Sequence, residues 1–248
     1  MTDPSFEAER RNNIARMAAD DALTAKTLDW LAHAQERKYS YQFDWMGLPL
    51  IQYPQDVVAM QELVWSLKPD LVIETGIARG GSAIFYASLL EINAMCGGPS
   101  DAEVVAIDID IRADNRAAIA THPMAKRLTM LEGSSVDKGI VAQVAKMAEG
   151  KSSVLVCLDS DHTHDHVLDE LKAYAPMVTP GGYCVVFDTL IEDLPKTAIG
   201  DRPWGVGNNP MTALDAYLAE DDQFEIDNAR HEKLQITVAR RGFLKRKG

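Results

Sequence analysis

The sequence is short of cysteine, of long apolar runs and of clustered positive charge, and each shortage removes a class of function. Its three cysteines, Cys96, Cys157 and Cys184, are scattered without metal-ligand spacing, so neither a zinc site nor a disulfide framework is expected. Cys157 and Cys184 sit in the apolar runs VLVCL and YCVVF and read as buried free thiols. No apolar run approaches the roughly 20 residues of a membrane span. The opening MTDPSFEAERRNN lacks the apolar core of a signal peptide, and a cytoplasmic protein is expected. Internal repeats and low-complexity tracts are missing too. A formal charge of −12 with a pI of about 4.9, and no basic stripe, argues against nucleic acid or an anionic membrane as partner. The one basic cluster, Arg240, Arg241, Lys245, Arg246 and Lys247, reads as a solvated C-terminus.

What is present is an ordinary globular composition, 46% apolar and 25% charged over 248 residues. That length fits one α/β domain, residues 54–248, behind an N-terminal extension, residues 1–53. An apolar stripe at Leu23, Thr27, Leu28, Trp30 and Leu31 predicts a helix over 20–35. Residues 39–55 (YSYQFDWMGLPLIQYPQ) have aromatics and prolines but no steady period, and are expected to form an arm that covers something. A second helix, 54–67, stops at Lys68-Pro69.

Strict alternation follows. Apolar strands are expected at 70–74, 104–110, 128–134, 153–161 and 181–189, with amphipathic helices between them. Near-continuous apolar strands separated by helices imply a mainly parallel sheet covered on both faces, a Rossmann-like α/β fold. After a Pro- and Gly-rich loop over 195–210 come a helix, 211–219, and a late strand pair expected in FEIDNAR and KLQITVA.

The most informative segment is Glu74-Thr75-Gly76-Ile77-Ala78-Arg79-Gly80-Gly81-Ser82. A strand turns into a helix here, and ligands of such sheets bind outside the carboxyl ends of the strands. A dinucleotide loop would put its glycines around a pyrophosphate. Here an acid precedes the turn, which repels a pyrophosphate and welcomes a cation such as the ammonium or sulfonium of S-adenosylmethionine (SAM). Asp108, at the end of the second strand, is placed to accept ribose hydroxyls, with Asp110 beside it. Glu132-Gly133-Ser134-Ser135 offers hydroxyls and an amide where an adenine would lie. The fourth strand ends in Asp159-Ser160-Asp161-His162-Thr163-His164-Asp165-His166 and the fifth in Phe187-Asp188. Carboxylates converging from adjacent strand ends suit a hard, oxygen-ligated ion such as Mg²⁺. Asp165, His164 and His166 read as helix-capping or solvated residues.

These segments resemble the cephalosporin hydroxylase/rhamnosyl O-methyltransferase family of class I SAM-dependent enzymes. The likeness runs from about Trp45 to Lys245. It is carried by the spaced Trp45, Gly47, Pro49, Gln52, Pro54 and Asp56, by IETGIARGGSAIFYASLL, by AIDIDIR, by LDSDHTHDHVLDELKAYAPMVTPGGY, and by Arg230-His231-Glu232-Lys233 with GFLKR. The resemblance implies a class I methyltransferase fold and a SAM pocket at Glu74, Gly76, Gly80, Ser82, Asp108 and Ser135, to which Ala78, Ile109 and Asp159 are added. It also implies a magnesium site between the fourth and fifth strands, assigned to Asp159, Asp161 and Asp188. The family's Glu-Asp pair stands here as Phe187-Asp188, one ligand fewer.

The expected reaction is SAM-dependent O-methylation of a hydroxyl on a sugar or small secondary metabolite. In-line displacement holds the acceptor oxygen ~3 Å from the methyl carbon, opposite the leaving sulfur. Mg²⁺ would activate that oxygen. Asp161 and His162 are the catalytic candidates, His162 as the base, with His231 a weaker one. Segments 39–55 and 195–210 are expected to form the acceptor pocket and a lid. Trp45 and Trp204 would either stack on the acceptor or simply pack. The aromatic arm is a plausible contact for a homo-oligomer. Rival readings are a nicotinamide-dependent oxidoreductase, a hydroxylase-type tailoring enzyme of the same family, and a non-catalytic SAM-binding protein.

Overall fold

A computed structural model describes residues 3–248. Helices α1 (Pro4–Ala18) and α2 (Asp21–Glu36) are each capped by an aspartate, Asp3 and Asp20, whose carboxylate accepts a first-turn amide hydrogen. The arm then forms a short hairpin of β1 (Phe43–Trp45) and β2 (Leu48–Leu50), followed by α3 (Pro54–Leu67). The alternating portion comprises β3 (Leu71–Thr75), α4 (Gly81–Met95), β4 (Glu103–Asp108), α5 (Ala113–Ala120), β5 (Leu128–Glu132), α6 (Lys138–Ala148), β6 (Val154–Leu158), α7 (His164–Tyr174) and β7 (Tyr183–Val186). The chain ends with α8 (Lys196–Ile199), α9 (Pro210–Glu220), β8 (Phe224–Ile226), α10 (Asn228–Leu234) and β9 (Phe243–Arg246).

Seven strands form one sheet in the order β5-β4-β3-β6-β7-β9-β8, parallel except for β9, which runs antiparallel to both neighbours. This is the class I methyltransferase arrangement expected from the sequence. Period-two alternation divides the strand residues between two cores. Val72, Val104, Ala106, Leu155 and Val185 face α3, α4 and the arm, while Ile73, Val105, Val156 and Val186 face the opposite layer with α7 and α9. Both faces are covered, which is why these strands read as unbroken apolar runs.

The N-terminal extension begins with the polar helix α1. Two expectations are corrected. The second strand of the late pair is not KLQITVA but Phe243–Arg246, since residues 228–234 are helical and Val238 and Thr237 instead bind the buried Asp56. The basic tail is not simply solvated. Arg240 pairs with Asp193 at 3.0 Å, Arg241 with Asp215 at 2.8 Å, and Arg246 donates to the carbonyls of Pro176 and Val178.

The arm lies on the N-terminal half of α4. Trp45 donates its indole hydrogen to Ser88 Oγ at 3.0 Å and packs edge-on against Phe85. A β-carbon at Gly81 would stand 2.2 Å from the Pro49 carbonyl oxygen, so a glycine there is what lets the arm come down onto the sheet's carboxyl edge.

Candidate active site

The carboxyl ends of β3, β6 and β7 open into a cleft of about 200 Å³. Its walls are Gly76, Ala78, Arg79 and Ser82 from the glycine loop, Ser40, Pro49 and Gln52 from the arm, and Leu194, Arg202 and Trp204 from the late loop. Both segments expected to flank the acceptor therefore border it. The late loop is tied down by Glu192, which accepts from Gly207 N at 2.8 Å and from Asn209 Nδ2 at 2.5 Å.

Strand ends bring the acids together. Asp159 follows β6 and Asp188 follows β7, the latter in a left-handed turn at φ 54°. His162 Nε2 lies 3.5 Å from Asp188 Oδ2, and one potential ligand atom each from Asp159, His162 and Asp188 lies within 4.8 Å of the others. Burial and then the neighbouring Asp188 and Glu74 push the Asp159 carboxyl well above its ordinary range. Gln52 offsets this by donating to Asp159 Oδ2 at 2.9 Å. Asp161 is directed elsewhere. Its Oδ1 accepts from Thr163 N at 2.8 Å and Thr163 Oγ1 at 2.5 Å, ordering the entry to α7, so His162 rather than Asp161 completes the cluster.

On the donor side, Glu74 is 2% exposed and one of its carboxylate oxygens has no partner. Burial raises its pKa to about 8, against a hydrogen bond from Ser82 that lowers it. Asp108 holds the glycine loop, accepting from Ile77 N at 2.8 Å and Ala78 N at 3.1 Å. Gly76 turns at φ +91°, and a β-carbon there would meet the Asp159 carbonyl oxygen at 2.0 Å. Gly80 is the left-handed residue before α4. Ser135 is buried against α7, whereas Ile109 is 74% exposed.

Of the other candidates, Trp204 alone borders the cleft. Trp45 is committed to α4, while Trp204 meets the His162 ring edge-on at 4.8 Å. His231 lies in α10, lining a separate cavity with Thr24 and Arg240, and burial lowers its pKa to about 4. Phe187, where the family has an acid, is in the apolar core. Sequence reasoning quoted Gln52 but gave it no role, because an amide carries no chemistry until its neighbour is known. His164 and His166 are engaged rather than solvated: His164 Nδ1 meets Thr212 Oγ1 at 2.8 Å, and His166 meets Ser135 and Ser160.

A model of the rhamnosyl O-methyltransferase/CmcI family matches residues 37–247. The chain belongs to this family. A rhamnosyl O-methyltransferase of Mycobacterium leprae is 32% identical over 205 residues, covering 82% of each chain. Its counterpart in Mycobacterium tuberculosis H37Rv is also 32% identical, over 81% of this chain and 76% of its own. Among solved structures, CmcI with Mg and SAM aligns with a TM-score of 0.58 at 18% identity, over 84% of this chain and 78% of that one. An O-methyltransferase from Bacillus cereus with S-adenosylhomocysteine (SAH) aligns at 0.51 and 15% identity, over 83% and 82%. Membership makes this family enzyme a SAM-dependent O-methyltransferase rather than a nicotinamide oxidoreductase.

Its ligand-free stability should fall as pH rises. An acid with a pKa raised on folding contributes stability fully present below its unfolded value, near 4.5 for Glu74, and lost as pH climbs through about 8. The thermal midpoint is therefore expected to decline between these limits, and Glu74→Gln to flatten that decline in a calorimetric pH series. An unchanged slope in the variant would place the effect on other acids.

Proposed function

We propose that the chain moves a methyl group from SAM to a hydroxyl of a sugar or related small metabolite, with a divalent cation at Asp159 and Asp188. The carrying observation is the group of Asp159, His162 and Asp188 at the strand ends, beside a glycine loop backed by an orphan buried carboxylate.

The residues fit both groups. Two carboxylates are a hard donor set suited to Mg²⁺, and a cation relieves the repulsion that raises the Asp159 pKa. When bound, such an ion lowers the pKa of the acceptor hydroxyl. Glu74 supplies a buried negative charge for the cationic donor, and Gly76, lacking a side chain, leaves room beside Asp159. Ala78, Gly80 and Ser82 shape the same rim. Asp108 fixes the loop on the ribose side of the donor, its other oxygen accepting from Asp110 N at 3.2 Å, with Ile109 beside it. His162, a nitrogen donor that a hard ion does not need, takes the acceptor's proton at Nε2. Asp161 orders the turn carrying His162. The edge of Trp204 keeps the imidazole in place and narrows the acceptor side.

The reading extends to self-association, for which the exposed Trp30, Tyr41 and Met46 offer apolar surface. It also extends to a reducing compartment, in keeping with the free thiols Cys157 and Cys184. No helix among the described residues is long and apolar enough to cross a membrane.

The test combines SAM calorimetry with turnover on a methyl rhamnoside. SAM is expected to bind, and turnover to collapse in EDTA and return with Mg²⁺. Turnover indifferent to EDTA would remove the metal and leave His162 alone to activate the hydroxyl.

A further inference from the structure

Behind the cleft, α7 carries a polar cluster that the steps above do not use. His166 Nε2 lies 3.0 Å from Ser135 Oγ, 3.2 Å from Ser160 Oγ and 3.4 Å from Glu170 Oε1. Ser160 donates its hydroxyl hydrogen to the same Glu170 oxygen at 2.6 Å. Glu170 is fully buried and its second oxygen has no partner. One turn further on, Tyr174 donates to the Ser135 carbonyl at 2.5 Å, pinning that loop. A buried carboxylate with an unmet oxygen costs stability, which points to a role beyond packing.

Proton relay is not that role. In a relay the acid sits on the far imidazole nitrogen, whereas here all three oxygens converge on Nε2. What the cluster fixes is direction. A carboxylate beside Nε2 favours a hydrogen there, and Glu170 accordingly raises the His166 pKa against burial. The nearest acceptor for that hydrogen is Ser135 Oγ, which leaves the Ser135 hydroxyl hydrogen free to donate outward. Ser160, its hydrogen given to Glu170, can only accept from a ligand. The Watson–Crick edge of adenine places the N1 acceptor next to the N6 amine donor, the complement of this serine pair.

Resting on the SAM reading above, we propose that His166 and Glu170 are positioning residues that set Ser135 as hydrogen-bond donor and Ser160 as acceptor toward the adenine edge of the methyl donor.

S-inosylhomocysteine provides the probe, because hypoxanthine turns the ring nitrogen into a donor and the amine into an accepting carbonyl. Calorimetry with Mg²⁺ would compare it with SAH on the wild type, His166→Ala and Glu170→Gln. The wild type is expected to favour SAH by about tenfold or more, since buried polar groups left unpaired discriminate strongly. Both variants should narrow that ratio to about threefold or less. Should either fail to fold, Ser135→Ala, which deletes one hydroxyl, gives the same readout. A purely structural role would lower thermal stability and weaken both ligands alike with the ratio preserved, and that overturns the proposal. Equal binding by the wild type overturns it as well. If SAH fails to bind the wild type, the SAM reading itself falls. Binding without discrimination sinks only the serine assignment.

Discussion

Asp159→Asn is expected to lower methyl transfer by about 10²–10³-fold, the size of effect seen when one electrostatic group of a preorganised site is removed, and to raise the thermal midpoint of the ligand-free protein. Both results follow from one arrangement. Asp159 is held close to Asp188 and to the buried Glu74, and burial first, then these two acids, push its carboxyl well above the ordinary range. An amide of the same shape removes the repulsion while Gln52 can still donate to the remaining oxygen. It also removes a charged oxygen from the proposed cation site. Active sites commonly trade stability for function in this way. Steady-state turnover with saturating Mg²⁺ and unfolding without metal are the two measurements. Unimpaired turnover would leave the metal assignment without support, and a lowered midpoint would show that like-charge strain is not what Asp159 contributes.

The second large effect is on folding. Gly76→Ala is expected to destabilise the protein by about 3 kcal/mol or more, from a forced backbone and a steric clash acting together. The residue has φ +91°, and an added methyl would lie 2.0 Å from the Asp159 carbonyl oxygen. Neither side can withdraw. Thr75 is in register with Ile107 and Leu158 on its two flanks, and Gly76 N donates to Ile107 O at 2.8 Å. Gly150→Ala is the control, because its φ of +73° is likewise positive but nothing lies within 4 Å of the added carbon. It should cost only about 1 kcal/mol. Urea unfolding of the two variants side by side checks this, and equal losses would show that backbone conformation, not contact with β6, is what matters at Gly76.

The sheet was legible because its strands are buried on both sides. VVAID or VLVCL has little freedom except as an interior strand between helices, and the tips of those strands carry the acids. Elements whose placement depends on distant partners were harder. KLQITVA has the β-branched pattern of a strand, but Thr237 and Val238 answer to Asp56, and the sheet takes Phe243–Arg246 instead. α1 has a polar composition with no buried residue, so no periodicity announces it. At the site, residue types in DSDH suggested a metal and a base, but which acid turns inward rests on Thr163, whose amide and hydroxyl claim Asp161. Gln52 and the His166 cluster depend on contacts spanning 107 and 31 residues of sequence, which no local pattern encodes.

The docking of the arm against α4 has a consequence for biosynthesis. One wall of the cleft comes from residues 35–52 and the opposite one from residues 188–204, segments separated by almost the whole central sheet. A ribosome must therefore release all of β3 to β7, with the helices between them, before the two can meet. Until then the nascent protein has its glycine turn but no enclosure, so competence to hold an acceptor arrives late and all at once, set by the slow closure of a long loop rather than by the rapid formation of any helix.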